Sequence, residues 1–476
     1  MKRFIKEDSR SQNTLFPQSL DDFVSEDNSV RVIDAFVSEL DLGKLGFDGV
    51  QPKKTGRPGY HPSTLLRIYI YGYLNRIQSS RRLEHETHRN VELMWLTGRL
   101  TPDFKTIADF RKDNGEAIRN VCKEFVLLCR RLDLLTHNSV AIDGSKFKAV
   151  NSRDQSFSKT KITLMLKEAN ESIERYMKDL DESDKAEPPV SAVKIDRLKV
   201  KLSRLKSWMQ RLKAIETELL ESPEKQVSLT DPDSRSMKGS RGTMVAYNVQ
   251  TAVDTVNHLI VAHEVTNSPS DRGQLFTMAD KARKVLSAKE LTVVADRGYF
   301  KGKEILACQN AGITTYLPKP QTSTSKAQGR FGKEDFKYIA DDNEYECPAG
   351  ERLKWRMKTV ERGEMVMDSY WSSVCEKCAI KSQCTSGPQR RVKRWESEEV
   401  LEELESRLLN NPGKMLRKET VEHPYGTIKM WMGWTHFQMK RLHNVKTEMS
   451  LHILAYNMKR VINIIGMKAL MHGMQG

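Results

Sequence analysis

Nowhere in this 476-residue sequence does an apolar run reach the roughly 18 residues that a membrane-spanning helix needs, so no membrane association is expected. The N-terminal MKRFIKEDSRSQ lacks the apolar core of a secretion signal. Also missing is the spread of cysteines that marks a disulfide framework. There are seven, and four of them crowd between positions 347 and 384. These absences point to a reducing, cytoplasmic compartment. Acidic residues are in deficit: 78 Lys+Arg stand against 63 Asp+Glu, a formal charge of +15 with a pI near 9.3. That excess favours a polyanionic partner through phosphate neutralisation and counterion release, although charge also serves solubility in general.

What is present divides the chain into segments. Residues 1–55 are polar, with one amphipathic stretch, VRVIDAFVSELDL. TGRPGYHP then breaks the pattern and carries Arg57. Over 56–137 three apolar periodicities of three and four follow: STLLRIYIYGYLNRI, SSRRLEHETHRNVELMWLTG and TIADFRKDNGEAIRNVCKEFVLLCRRLDLL. This predicts an all-α domain with the basic decoration of a helix-turn-helix-type DNA-binding unit, Arg57, Arg81 and Arg82 among its contacts. GRP has the form of an arm that reads the minor groove, or equally of a flexible linker, and the helices that follow could serve packing alone. From 138 the period changes. SVAIDGSKFKAV, MVAYNVQTAVD and HLIVAHEVT read as strands, and helix, strand, helix, strand follow to about 320. The expectation is an α/β core over 138–320 and 396–476: a mixed sheet with helices packed on it.

Two insertions interrupt that core. In 160–225, Ile195, Leu198, Leu202, Leu205, Met209, Leu212 and Leu219 form a heptad seam, and Leu166, Ala169, Ile173, Tyr176 and Leu180 form a facing stripe. This predicts an antiparallel helical hairpin whose Lys199, Lys201, Arg204, Lys206, Arg211 and Lys213 serve DNA or a second subunit, or are merely a solvated face. The other insertion, 321–395, holds Cys347, Cys375, Cys378 and Cys384. A C-x-x-C pair with two further thiolates can close one structural Zn2+ site, in a strand–knuckle–strand around EYECPAGERLKW. Cys122, Cys129 and Cys308 stand singly in apolar contexts and read as small buried hydrophobes.

Three acids carry the chemistry: Asp143 in VAIDGSKFKA, Asp296 in LTVVADRGYF and Glu422 in RKETVEHPYGTIK. Each aspartate leaves an apolar, β-branched run, at the sheet edge where ligands of open α/β sheets gather. Carboxylates brought together from separate elements can hold two divalent metals that drive displacement at a phosphate. Lys429 lies seven residues after Glu422. If one α-helix runs through both, they share a face two turns apart. Trp431 and Trp434 follow, as core residues or as platforms for a displaced base.

The chain resembles the DDE transposases of bacterial insertion sequences. The resemblance covers nearly its whole length: GRPGYHPSTLLRIYIYGYLNRIQSSRRLE, TIADFRKDN, AIDGSKFKA, ADRGY, the Cys cluster and VEHPYGTIKMWMGW. Such enzymes carry Tyr, two residues, Arg, three residues, Glu, six residues, Lys. Here the Lys is Lys429, the Arg position holds Lys418 with Arg417 beside it, and the Tyr position holds Met415. The resemblance implies an RNase H-like core in which Asp143, Asp296 and Glu422 hold two Mg2+. Arg297, Arg417, Lys418 and Lys429 would hold DNA near the scissile phosphate. It also implies double-stranded DNA partners (terminal inverted repeats and target), a homodimer on paired ends, and a cytoplasmic, nucleoid-associated setting. A nuclease that does not join ends, or an inactive DNA-binding derivative, would show the same fold.

Overall fold

The computed structural model describes residues 19–52, 58–136, 138–150, 153–184, 192–221, 226–239, 242–320, 324–361, 365–411 and 423–475. Helices come first: α1 (Ser29–Ser38), α2 (Pro62–Leu74), α3 (Ser80–Thr87), α4 (Val91–Thr97), α5 (Phe104–Asp113) and α6 (Gly115–Arg131). Strand β1 (Ser139–Lys148) follows. Short β2 (Ser156–Ser158) then leads into α7 (Lys159–Asp184) and α8 (Ala192–Glu221), closed by β3 (Gln226–Ser228). Next come β4 (Arg235–Gly239), β5 (Gly242–Asp254), β6 (Ile260–Thr266), α9 (Leu275–Leu286), β7 (Leu291–Ala295), α10 (Gly302–Asn310) and β8 (Ile313–Tyr316). The remainder comprises α11 (Thr324–Ala327), β9 (Lys337–Ile339), β10 (Glu344–Glu346), β11 (Arg352–Glu361), β12 (Met365–Trp371), α12 (Lys381–Cys384), β13 (Val392–Trp395), α13 (Glu398–Asn410), a π-helical turn at Thr427–Trp431, and helices Leu442–Ile465 and Met467–Gln475. The architecture is mixed α/β. Among the described residues no helix is long and apolar enough to cross a membrane.

Residue contacts divide the chain into two compact units. One is Met1–Leu135, Gly144–Pro269 and Glu422–Gly476; the other is Thr136–Asp143 and Ser270–Val421. In the first unit, two of the three expected helical stretches are each broken by an asparagine. Asn90 takes an extended backbone and its side chain accepts the Leu93 N–H, so α4 starts afresh after α3. Asn114 ends α5 and begins α6. Its amide donates to the Phe110 carbonyl while its oxygen accepts from Asp48 N–H. Apolar periodicity passes through such caps unseen, because a short amide that satisfies the backbone locally competes with helix continuation.

Sheet pairing in this unit is antiparallel: β4 on β5 and β5 on β6. No apolar alternation marks β4 in the sequence. RSMKG has no apolar run and earns its place by pairing with β5. Helices α7 and α8 pack on one another, with Ile162, Ala169 and Ile173 of α7 buried, together with Leu198, Leu212, Ile215 and Leu219 of α8. The base of this pair is closed by the β2–β3 ribbon, where Phe157 and Val227 pack on Ile162, Leu212, Ile215 and Leu219.

The LHILAYNMKRVINIIG stretch reads as an amphipathic core helix. It lies in the helix Leu442–Ile465, which is buried on every side from Val445 to Met458, apart from Lys446, and packs on α6, α2 and β6. Its polar residues are therefore internal. Asn457 accepts from Ile260 N–H and donates to Ile260 C=O, both at 2.9 Å. Ser450 bonds His263. The fully buried Glu448 carboxylate accepts the backbone N–H groups of Gln438 and Met439 at 2.9 Å. Burial pushes the Glu448 carboxyl above its usual range, opposed by the Arg111 guanidinium and those two N–H donors. Arg111, itself buried, donates to Tyr73 Oη at 2.8 Å.

In the second unit β1 runs parallel to β7, and β7 to β8, with α9 and α10 packed on this sheet and α13 on α10 and β8. Both families of pairing share β1, which passes from one unit to the other between Asp143 and Gly144. A second sheet of order β13-β12-β11-β10-β9 occupies the cysteine-bearing segment, its core made by Phe336, Tyr345, Leu353, Tyr370 and Val392. All seven cysteines are free thiols, and burial pushes Cys122 and Cys308 up to about 12.

Glu448→Ala should destabilise the protein by about 3 kcal/mol, because it strands two backbone donors and removes the negative charge that the buried Arg111 guanidinium feels. Urea denaturation followed by tryptophan fluorescence measures this. Glu448→Gln, which keeps one acceptor oxygen, should lose less.

Candidate functional site

The two aspartates are positioned by strand register. In the second unit β1 and β7 are parallel neighbours paired Ser139↔Thr292 through Ile142↔Ala295. Asp143 and Asp296 are the next residue on each strand. They are therefore level, at the carboxyl edge of adjacent strands that stand about 4.8 Å apart. Asp296 keeps an extended backbone (φ −87°, ψ 171°), which continues the register, and both residues are half-buried. Asp296 Oδ1 accepts the Gly298 N–H at 2.8 Å and caps the turn Arg297–Tyr299. A Cβ at position 298 would come within 2.8 Å of that same oxygen, so glycine is what lets the chain turn so tightly around the carboxylate. Arg297 is exposed directly beside it.

In the first unit the segment after position 422 is anchored on the sheet. Tyr425 Oη donates to the Val249 carbonyl at 2.8 Å and accepts from Thr251 Oγ1 at 3.1 Å. Lys429 Nζ donates to Ser145 Oγ at 2.5 Å and to the Lys146 carbonyl at 3.2 Å, and stands 4.4 Å over the Phe147 ring. Trp434 packs on Phe147 with ring centroids 4.5 Å apart, and Phe437 N–H donates to the Lys148 carbonyl. Ser145 and Phe147 lie two and four residues beyond Asp143. Strand alternation gives Ser145 and Phe147 the same face of β1, and the lysine docks on that face. His423 bonds Tyr456 Oη through Nδ1 at 3.1 Å and stacks on His258 at 5.5 Å.

Lys429 does not ride on a plain α-helix. Thr427–Trp431 is π-helical, a wider turn that changes the phase, so the two-turn spacing of a regular helix does not describe how this lysine is aimed. The π-turn also separates the two tryptophans: Trp434 is 1% exposed, in contact with Phe147, Phe437 and His452, whereas Trp431 is 69% exposed beside Met430 at 79%.

Glu422, Arg417, Lys418, Met415 and Arg57 lie outside the described residues. Arg81 and Arg82 open α3 and are exposed, the Arg81 guanidinium standing 5.0 Å over the Phe104 ring. Cys347, Cys375, Cys378 and Cys384 line one cavity of about 30 Å³ together with Phe336, Leu353 and Arg390. Cys347 sits in a tight turn between β10 and β11: its N–H donates to Glu351 C=O, and its carbonyl accepts from Gly350, which holds φ +81°. Burial, with the three neighbouring thiols adding to it, pushes the Cys384 thiol up. Among the described residues, however, no group of three or more His, Cys, Asp or Glu side chains is arranged to hold a metal ion as it stands.

Ser145, Phe147 and Tyr425 hold the Lys429 segment in the first unit, and Gly298 accommodates the Asp296 carboxylate in the second. In the sequence the signal for Ser145 and Phe147 was present, since a strand presents every second residue on one face. Tyr425 had none, because its partners lie on β5, far away in the chain.

Residues 18–113 match a family described as Transposase domain (DUF772), and residues 223–458 match the family described as Transposase DDE domain. No curated protein matches the chain. Among solved structures there is a likeness to the cryo-EM structure of a piggyBac transposase synaptic complex with hairpin DNA, at 8% identity and a TM-score of 0.32, covering 94% of this chain and 79% of that one.

Tyr425→Phe removes a buried hydroxyl that bonds both Val249 and Thr251. It should cost about 2 kcal/mol in chemical denaturation, since the Val249 carbonyl and the Thr251 hydroxyl lose their partner.

Proposed function

The chain belongs to the DDE transposases of insertion-sequence type, enzymes that cut DNA and transfer its strands, and on that premise we propose that it binds the ends of its own element and acts by a two-metal mechanism at Asp143, Asp296 and Glu422. One observation carries the reading: Asp143 and Asp296 follow the last register pair of adjacent parallel strands, Ile142↔Ala295. Two level carboxylates are the hard oxygen donors that Mg2+ takes. Glu422 would complete the set, since it immediately precedes the segment anchored by Tyr425 and Lys429. An RNase H-like core fits this arrangement, with its mixed sheet and its acids at strand ends. When bound, two Mg2+ ions supply Lewis-acid stabilisation of the attacking and leaving oxygens of an in-line displacement.

The protein's own side chains orient the DNA. Lys429 is immobilised by Ser145, Lys146 and Phe147, so its charge is preorganised rather than gathered at the moment of reaction. It would hold the backbone beside the scissile phosphate, with Arg297, Arg417 and Lys418 neutralising the phosphates around it. Trp431, exposed next to Lys429, would stack on an unpaired base. The N-terminal helices, with Arg57, Arg81 and Arg82, would bind the terminal inverted repeat. Cutting two ends calls for two active sites, hence a homodimer on paired DNA. Cys347, Cys375, Cys378 and Cys384 would close around one structural Zn2+. Their shared cavity is of a size for a single small occupant, and four thiols are a complete ligand set.

Asp143→Ala should abolish strand cleavage in Mg2+ while end binding in a gel-shift assay stays within about twofold. Retained cleavage would end the triad reading, and products that are cut but never joined would leave only a nuclease. Lys429→Ala should lower the cleavage rate about 100-fold, the cost of removing one preorganised stabilising group. Purified protein should carry close to one zinc per chain by elemental analysis, as one site implies. Cys375→Ser should lose that zinc without losing the catalytic response to Mg2+, and wild-type protein free of zinc would refute the site.

A further inference from the structure

Between Arg197 and Lys213, α8 carries seven cations and no acid. The heptad seam orders them. Arg197, Arg204 and Arg211 recur every seven residues and form one row; Lys199, Lys206 and Lys213 recur in the same way and form another. All six are exposed, and between the rows lie the exposed Val200, Ser203, Ser207, Gln210 and Ala214, opposite the seam that packs on α7. Successive members of a row are about 10.5 Å apart along the helix.

Among the described residues these charges are not neutralised within the hairpin. The α7 lysines pair with acids of their own helix, Lys167 with Glu171 at 3.9 Å and Lys178 with Glu182 at 3.8 Å. Among the described residues no ion pair engages Arg197, Lys199, Arg204, Lys206, Arg211 or Lys213; Arg211 only stands 5.8 Å from the Trp208 ring. Like charges so arrayed repel one another, and the helix keeps them although the seam needs none of them.

We propose that the outer face of α8 grips the phosphate backbone of duplex DNA without reading its sequence, an inference that rests on the transposase reading of the chain. The alternative occupant, a second copy of the hairpin, would have to bury a strip of small and polar residues between two rows of cations. Protein interfaces deplete charge at their cores and seek apolar anchors there, and this face offers only Val200 and Ala214. A phosphate backbone asks for no apolar area. It needs cations free of protein partners and donors that can fork onto its oxygens, as arginines do.

The test uses the full chain, a random-sequence duplex and a salt series. Arg197→Glu/Arg204→Glu/Arg211→Glu should reduce the log–log slope of binding against salt by about 2.7, three phosphates at roughly 0.9 each. Lys199→Glu/Lys206→Glu/Lys213→Glu should act similarly, and a control reversing Lys167 and Lys178 on α7 should leave the slope alone. Circular dichroism melting verifies that each variant folds; should a reversal fail to fold, Arg197→Gln/Arg204→Gln/Arg211→Gln replaces it, with the slope still expected to fall. An unchanged slope in both rows overturns the proposal. So does an unchanged slope with loss of dimers in light scattering, which would assign the face to self-association. The two readings fail separately. A wild type that cuts DNA while the row variants keep their slope defeats only the α8 grip. A wild type that does not cut defeats the catalytic reading and leaves any change of slope standing.

Discussion

Burial of the Leu442–Ile465 helix is the constraint on which the first unit depends. From Val445 to Met458 this helix carries Glu448, Ser450, His452 and Asn457 into the interior, and all but His452, whose ring nitrogens have no hydrogen-bond partner among the described residues, find partners there. Each partner ties a different part of the chain to it. Asn457 satisfies both backbone groups of Ile260 on β6, Ser450 meets His263, and Glu448 receives the backbone of Gln438 and Met439. His452 is held neutral by its burial, between Tyr73 of α2 and Trp434. The N-terminal helices, β6 and the loop after the π-turn thus share one core. Such a network specifies its arrangement, because any shift strands a buried donor or acceptor.

The site follows from what that core holds in place. Trp434 packs against Phe147 and His452, and Phe437 bonds the end of β1, so the segment carrying Lys429 is fastened at both ends. Tyr425 fixes one end to β5, while Lys429 itself is a tie to Ser145. A side chain that is both a structural tie and a positive charge is preorganised at no further entropic cost. On the other unit, register alone brings two carboxylates level. The chain therefore needs no unusual motif at either aspartate, only a parallel strand pair and a glycine two residues beyond Asp296.

Charge is distributed with the same division of labour. Lys429 is held, by Ser145 and Lys146. The cations of the two rows on α8 are many, and among the described residues no ion pair engages them. The first arrangement suits an exact position on one phosphate, the second a salt-dependent hold on many.

Much of this was legible in the linear sequence, and the reason is periodicity. The α7–α8 hairpin, the strands around Asp143 and Asp296, the β5–β6 pair and the buried single cysteines all announce themselves through local spacing, because a seam or a strand face repeats at a fixed interval. The residue types at the candidate site were also visible. What was not visible depended on partners distant in the chain. β4 is a strand only because β5 offers it an edge. Asn90 and Asn114 end helices because their amides find backbone groups. The Leu442–Ile465 helix reads as an amphipathic core helix, but that its Val445–Met458 stretch is buried on nearly every side follows from its polar residues meeting β6 and the N-terminal helices rather than water. The π-turn at Thr427–Trp431 separates an exposed Trp431 from a core Trp434 that spacing alone could not distinguish. Sequence by itself determined which carboxylates and thiols were available and on what elements; tertiary structure decided which of them stand level, which cations are tied and which are free, because those depend on contacts across hundreds of residues that no local pattern records.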